Sequence, residues 1–443
     1  MESGSGGITG TGGRTTGAIG GSVGGQGPAT GGAKGGPGGA STGGTGAGGR
    51  SAGGQSGGTS TGGNSTGGAT GGSGTGGASA NGCTNNPCLN GSSCTPGGGL
   101  SFTCNCPNRF VGTNCEIQKF LPISAWPTGL SGDGLLVVGQ ACNGDNLNCP
   151  PVKVASTGGT PTPLALPTSL PAGYDLADGC VIHGVNRNGA WIGAQCSGAQ
   201  GLSAVEWKSS NTAVFVPGRT AGELVDDLTG ASADGSIVVG SIYQSAIGDR
   251  WFRRVPTSGI VLLNQDVSSP NDDTVATATS NDGLVVAGTS FNHAVRWDPT
   301  FATRPLPEIA GQESDSGLFS YRPTDVSGDG SVIVGYIASR AGPTALRWNS
   351  PTSVTALGNG FVHAVDLTGS LLVGVNTAAP DNAACLWDST NTQRRIIDVI
   401  GTNPDTTGWD LHEAIAVADD GKTIVGTGTN PSGLPQGWVL HLP

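Results

Sequence analysis

From about residue 126 to its end, the chain alternates short apolar runs with turn dipeptides at near-regular intervals. In the stretch Thr324 to Leu357, the runs Asp325-Val326 and Val332 to Val334 flank Asp329-Gly330. Two apolar runs joined through Asp-Gly are the strongest short-range signal for a β-hairpin, because glycine adopts the positive φ that a tight turn demands. Ala345 to Trp348 and Val354 to Leu357 follow at turn-length intervals and complete a four-stranded meander of about 45 residues. The turn recurs at Asp133-Gly134, Asn188-Gly189, Asp234-Gly235, Asp282-Gly283, Asp329-Gly330, Thr368-Gly369 and Asp420-Gly421.

Each copy places a second glycine in the following strand, at Gly139, Gly193, Gly240, Gly288, Gly335, Gly374 and Gly426, where a bulge or the approach of another backbone would exclude a side chain. Four copies then carry Ala-x-x-Trp, ending at Trp207, Trp297, Trp348 and Trp387. Meanders repeated at this period bury both faces of every sheet when set radially around an axis, so the pattern predicts an all-β, seven-bladed β-propeller. Five residues before each turn glycine stand Gly129, Gly184, Gly230, Ala278, Asp325, Ala364 and Ala416, and small residues suit innermost strands that crowd toward an axis. The seventh copy stops at Leu442-Pro443, straight after its third strand, which leaves an edge to be covered. Phe120 to Ile123 lies outside every repeat, and the spacing predicts that residues 119–124 cross over to complete that sheet.

Composition changes abruptly upstream. Residues 2–82 are almost entirely Gly, Ser, Thr and Ala and cannot bury enough apolar surface to offset chain entropy, so they read as a disordered low-complexity linker (1–82) spanning roughly 50 Å. The acidity behind the net charge of -11 lies almost wholly after it, since only Glu2 is acidic before, which disfavours nucleic acid and anionic membranes as partners. No run of 18 apolar residues exists for direct membrane insertion, and Met1 to Gly4 is not the start of an export signal. Eleven cysteines at disulfide-like spacing nevertheless argue for an oxidising compartment, extracellular or at the outer cell surface.

Six of these, Cys83, Cys88, Cys94, Cys104, Cys106 and Cys115, fall within about 35 residues, too few for a self-sufficient core, and allow fifteen pairings in principle. Asn86-Pro87-Cys88, Asn90-Gly91, Phe102 to Cys106 and Phe110-Val111-Gly112 before Cys115-Glu116 resemble an EGF-like domain over 83–117. The resemblance implies Cys83–Cys94, Cys88–Cys104 and Cys106–Cys115, each contributing about 2–4 kcal/mol. The calcium ligands of some members are missing from Ser79 to Gly82, so no metal is expected there, and Arg109 stands where the family usually has glycine. Over 118–443 the V-S-x-D-G-x-x-x-V-G and A-x-x-W pattern resembles bacterial extracellular HAF-type repeats, a propeller-like family without a general activity. Cys180 and Cys196 flank the Asn188-Gly189 turn and should face each other across a hairpin; Cys142 should pair with Cys149; Cys385 occupies an apolar slot and should be a buried thiol.

Candidate chemistry is sparse. Thr128, His183, Thr229, Thr277, Thr324 and His363 share the position six before the turn glycine and are candidate channel-lining residues, expected chiefly to satisfy neighbours. Asp272-Asp273 and Asp419-Asp420 read as solvated turns, and Asn143 to Asn146 as a disulfide-closed loop rather than a calcium site. No nucleophile elbow, zinc-protease or phosphate-loop motif occurs, so no catalytic residue, metal or cofactor is assigned. The expectation is a secreted or surface-tethered binding protein whose propeller face or channel contacts extracellular protein or glycan; the alternative is a propeller-type glycoside hydrolase or polysaccharide lyase.

Overall fold

The computed structural model describes residues 82–141, 149–168, 170, 179–198, 201–208, 212–220, 223–244, 248–264, 275–300, 302–314, 317–378 and 382–443. Thr75–Pro443 form one compact unit. Almost every element is a strand, and the strands build successive antiparallel meanders. The first contains Trp126–Leu130, Leu136–Gln140, Pro151–Ala155 and Thr162–Pro163, and the second Cys180–Val185, Trp191–Gly198, Gly201–Lys208 and Ala213–Phe215. The third begins with Glu223–Ala231 and Val238–Gln244, the fourth with Val275–Thr279 and Val286–Ser290. The fifth and sixth form one seven-stranded sheet, because Ser353–Val365 is both the last strand of one and the first of the next.

The seventh meander consists of Asp410–Val417, Thr423–Thr429 and Pro435–His441, and its fourth strand is Phe120–Ile123. Leu440 pairs with Phe120 and Gly437 with Ile123, so the expected crossover is present. Phe120 is fully buried, stacked on Trp438 and edge-on to Trp409 at 5.3 Å. Pro122 tolerates this edge because the outer side of the strand has no ladder to feed.

Four of the first hairpins are closed in the same way. At Ser131, Ser232, Ser280 and Ser327 the serine hydroxyl donates to the aspartate of the turn at 2.6–2.7 Å, and that aspartate accepts the amide two residues beyond itself. The turn glycines stand at φ of 67–77°, the left-handed region closed to most side chains. The first strand of every meander bulges at the residue six before that glycine, namely Thr128, His183, Thr229, Thr277, Thr324, His363 and Ile415. The bulge explains the second glycine: a Cβ at Gly139, Gly240, Gly288, Gly335, Gly374 or Gly426 would stand 1.8–2.2 Å from a carbonyl of the bulged strand. The second meander departs from this, since Ala194 occupies the slot opposite Ile182 and Gly193 faces Trp191 and Leu228 instead.

Tryptophan of Ala-x-x-Trp joins neighbouring meanders. Trp207, Trp297, Trp348 and Trp387 are buried, and their indole N–H groups donate to carbonyls of Ala165, Asn264, Pro307 and Leu357 at the end of the preceding meander. In the third meander Arg254 fills that slot and reaches the buried Glu206 of the second at 2.6 Å. Burial opposes ionisation of Glu206, but Arg254, the Trp191 indole and Lys208 together hold its carboxyl below the usual range.

The segment before Phe120 holds two small hairpins, Ser93–Pro96 with Phe102–Asn105 and Phe110–Val111 with Ile117–Gln118. Disulfides join Cys83 to Cys94, Cys88 to Cys104 and Cys106 to Cys115. Arg109, the departure from glycine, makes a bidentate pair with Asp405, which also accepts from Gln118 at 3.2 Å. Asn108 donates to Thr402 O and Lys119 to Ile400 O, so this segment docks on the connection between the sixth and seventh meanders.

Cys180 is bonded to Cys196, whose Cα is its direct partner across the hairpin. Cys149 is disulfide-bonded, while Cys142 lies outside the described residues. Cys385 is a fully buried thiol whose pKa burial pushes up to about 12. Native protein should therefore resist thiol reagents at pH 8, and denatured, unreduced protein should titrate one thiol per chain; three or more would contradict the pairing.

Candidate ligand-binding mouth

The first hairpins form a ring. Asp133 N donates to Arg187 O, Ala233 N to Asn281 O, Asn281 N to Gly328 O, Asp329 N to Leu367 O, Leu367 N to Asp419 O, and Asp419 N back to Gly132 O, at 2.7–3.1 Å. The remaining link, from the second turn to the third, is made by the Asn186 side chain donating to Ala233 O at 3.0 Å. All the first strands run into these turns, so their starting ends share the opposite end of the ring.

The turn end is filled by side chains that reach across it. Asp419 accepts from Arg187 of the second meander and, at 3.1 Å, from Asn281 of the fourth. A Cβ at Gly132 would meet the Asp419 carboxylate at 2.8 Å, which explains the glycine. Asp419 is thus no solvated turn residue, whereas its neighbour Asp420 is exposed and caps Lys422 N. Burial and the nearby Asp366 and Asp420 raise the Asp419 pKa, against the pull of Asn281 and Arg187. The adjacency in sequence concealed this, because only the ring brings residues 187, 281 and 419 together.

The six residues flagged by the repeat sit at the bulges, and four of them bridge to the next meander. Thr229 Oγ1 donates to Ala276 O and Thr324 Oγ1 to Val362 O. His183 Nδ1 meets Asp227 Oδ1 at 2.7 Å and His363 Nε2 meets Glu413 Oε1 at 2.9 Å. Thr277 bonds Ala287 O within its own meander, and Thr128 Oγ1 is buried without a partner. Burial works against protonation of His183, yet the hydrogen bond and charge of Asp227 raise its pKa overall. Glu413 lies below the usual carboxylate range: burial opposes this, and His363 and then His412 outweigh it. Asp227 and Glu413 were not singled out from sequence, where they lie 44 and 50 residues from their histidines.

At the starting ends the side chains are mixed. Trp126 of the first meander is 40% exposed and Val181 of the second 43%. Tyr336 packs edge-on to Phe361 at 4.7 Å, and Phe361 stacks on His363. Arg322 is the cross-strand partner of Tyr336. Burial raises the Tyr336 pKa, partly countered by Arg322.

Elsewhere, Ser314, His293 and Glu308 come together, with Ser314 Oγ 2.6 Å from His293 Nδ1 and 2.5 Å from Glu308 Oε1. Glu308 meets the same Nδ1 at 3.0 Å, and Ser314 is 1% exposed. A nucleophilic triad needs serine and carboxylate on opposite imidazole nitrogens and a reachable hydroxyl, so this cluster is a structural network. Among the described residues no group of three or more His, Cys, Asp or Glu is disposed to hold a metal. Residues 143–146 and 272–273 lie outside the described residues.

No protein-family model matches the sequence, and no curated protein matches it. Solved structures that resemble it include an oligogalacturonate lyase in complex with manganese (13% identical, covering 73% of this chain and 90% of that one, TM-score 0.48). The β-propeller domain of Myceliophteria thermophila Cps50 (Swd1) is 9% identical over 73% of this chain and all of that one, with a TM-score of 0.45. TolB from Acinetobacter baumannii is 11% identical over 59% of this chain, which spans 63% of TolB's length, with a TM-score of 0.40. The sheet order and the linked first hairpins make the chain an all-β protein of antiparallel meanders repeated in a ring.

Asp325 is the one acid among the small residues just past the bulges. Its carboxylate accepts the amides of Val326 and Val365, yet burial raises its pKa to about 7, with Asp419 adding to the rise. The folded chain therefore holds this proton at pH values where the unfolded chain has lost it. Stability falls as pH rises from about 4 to about 7, and the loss is complete above that. Asp325→Asn should accordingly stabilise the protein at pH 8, by at most about 4 kcal/mol for a three-unit shift, and give no gain near pH 4. Urea unfolding at both pH values tests this, and an equal effect at both would contradict it.

Proposed function

We propose that the chain is a secreted or cell-surface-tethered binding protein, in which an EGF-like module and a Gly-rich linker present a seven-bladed propeller of HAF-type repeats. Its ligand is an extracellular protein or glycan, met at the mouth formed by the starting ends of the first strands. The observation that carries this reading is the difference between the two ends: Arg187, Asn281 and Asp419 span the turn end, while Trp126, Val181, His363 and Glu413 remain partly exposed at the other. A partly aromatic end with a few polar groups suits a binding site. Four disulfides among the described residues, with Cys149 also bonded, would suit an oxidising compartment.

A hydrolase or lyase reading draws on the strip Arg322, Tyr336, Phe361, His363 and Glu413. Against it, a phenol acting as general base needs a lowered pKa, and Tyr336 is shifted the other way. A panel of glycans and polysaccharides, read for both retention and released product, tests the choice. Binding without new reducing ends or unsaturated product is expected, and turnover would contradict the reading.

A further inference from the structure

We propose that the arc of the mouth running from the sixth meander through the first to the third, centred on Trp126, is a glycan site for neutral or amino-bearing sugar rings. This rests on the binding-protein reading above and gives it a ligand class. Around the ring, the His363–Glu413 pair joins the sixth and seventh meanders and the His183–Asp227 pair joins the second and third. The first meander lies between them and contributes the exposed indole of Trp126, whose cross-strand neighbour is Gln140.

An aromatic face with hydrogen-bonding groups on both sides matches a pyranose, which offers an apolar C–H face and a rim of hydroxyls. A lysine side chain would use only one end of the arc. Glu413 Oε1 and Asp227 Oδ1 face the histidines, and each carboxylate has a second oxygen with lone pairs to spare. Thr128 supplies a separate observation: three of the equivalent threonines donate to carbonyls, yet its hydroxyl is buried two residues from Trp126 with no partner. Such a group is costly in a protein interior unless something hydrogen-bonds to it. The carboxylates also set the sign of the ligand. They favour hydroxyls or an ammonium and repel uronate or sulfate, and Arg219, at the same end of the third meander, is already paired with Glu223.

Calorimetry on the full chain with four probes tests this: manno- and cello-oligosaccharides, a glucosamine oligomer, an oligogalacturonate and a lysine-rich peptide. A neutral or glucosamine oligomer should bind and the oligogalacturonate should not. Trp126→Ala should weaken that binding about tenfold or more, whereas Trp126→Phe, which keeps a ring for stacking and guards against misfolding, should stay within a few-fold. Glu413→Gln should weaken the glucosamine oligomer more than the neutral ones. Binding of the peptide alone would overturn the sugar assignment but leave the binding-protein reading standing. Sugar binding that Trp126→Ala leaves unchanged would overturn the site, and tightest binding of oligogalacturonate would overturn the charge argument.

Discussion

The constraint on which the structure depends is the closing of a ring whose links are single hydrogen bonds between successive first hairpins. Each link requires the turn to sit at one height along the axis, and the serine–aspartate contact with its left-handed glycine fixes that height. A local bulge then turns the strand so that its next residue can bond the neighbouring meander. The second glycine follows from the bulge and the buried tryptophans follow from the neighbour, so the repeat sequence is the consequence of one geometric condition met many times. Asp419 N to Gly132 O closes the ring, and Phe120 to Ile123 completes the last meander from the other end of the chain.

The same geometry makes the two ends of the ring chemically different. Turns that converge bring their middle residues into reach of one another, and a few long polar side chains suffice to span that end. Strands that begin apart at the other end leave side chains with room around them. Asp325 marks the cost of building near the axis, since a carboxylate is held there among glycine and alanine positions and carries a raised pKa. Arg109 shows a related economy at the rim: the small disulfide-bonded segment meets Asp405 through its guanidinium.

What was legible in the sequence had a short range or a strict period. Turn glycines, strand glycines and Ala-x-x-Trp are local signals repeated often enough to be read, and the crossover strand could be inferred because an uncovered edge has to be paired. The candidate site was only half legible. His183 and His363 stood out against the threonines at the same position, but Asp227 and Glu413 did not, because each belongs to the meander after its histidine and only the fold brings the two together. Asp419 was misread for a different reason: its neighbour Asp420 is a solvated cap, and nothing in one turn reveals that the preceding residue points across the ring. Gly193 misled too: the slot lies five residues past the turn glycine in this meander as in the others, but Ala194 fills it and Gly193 stands one residue earlier.

Native-state amide hydrogen exchange on the full chain bears most directly on ring closure. The informative amides are those of Asp419, which bonds Gly132 O of the first meander, and His441, which bonds Lys119 O beside the crossover strand, compared with Asp133, Ala233 and Asn281 within the ring. If closure makes the ring one cooperative unit, all five should exchange with the same opening free energy, to within about 1 kcal/mol, and respond alike to denaturant. Separate, low-energy opening of Asp419 and His441 would show instead that the ends merely abut, and would contradict the account.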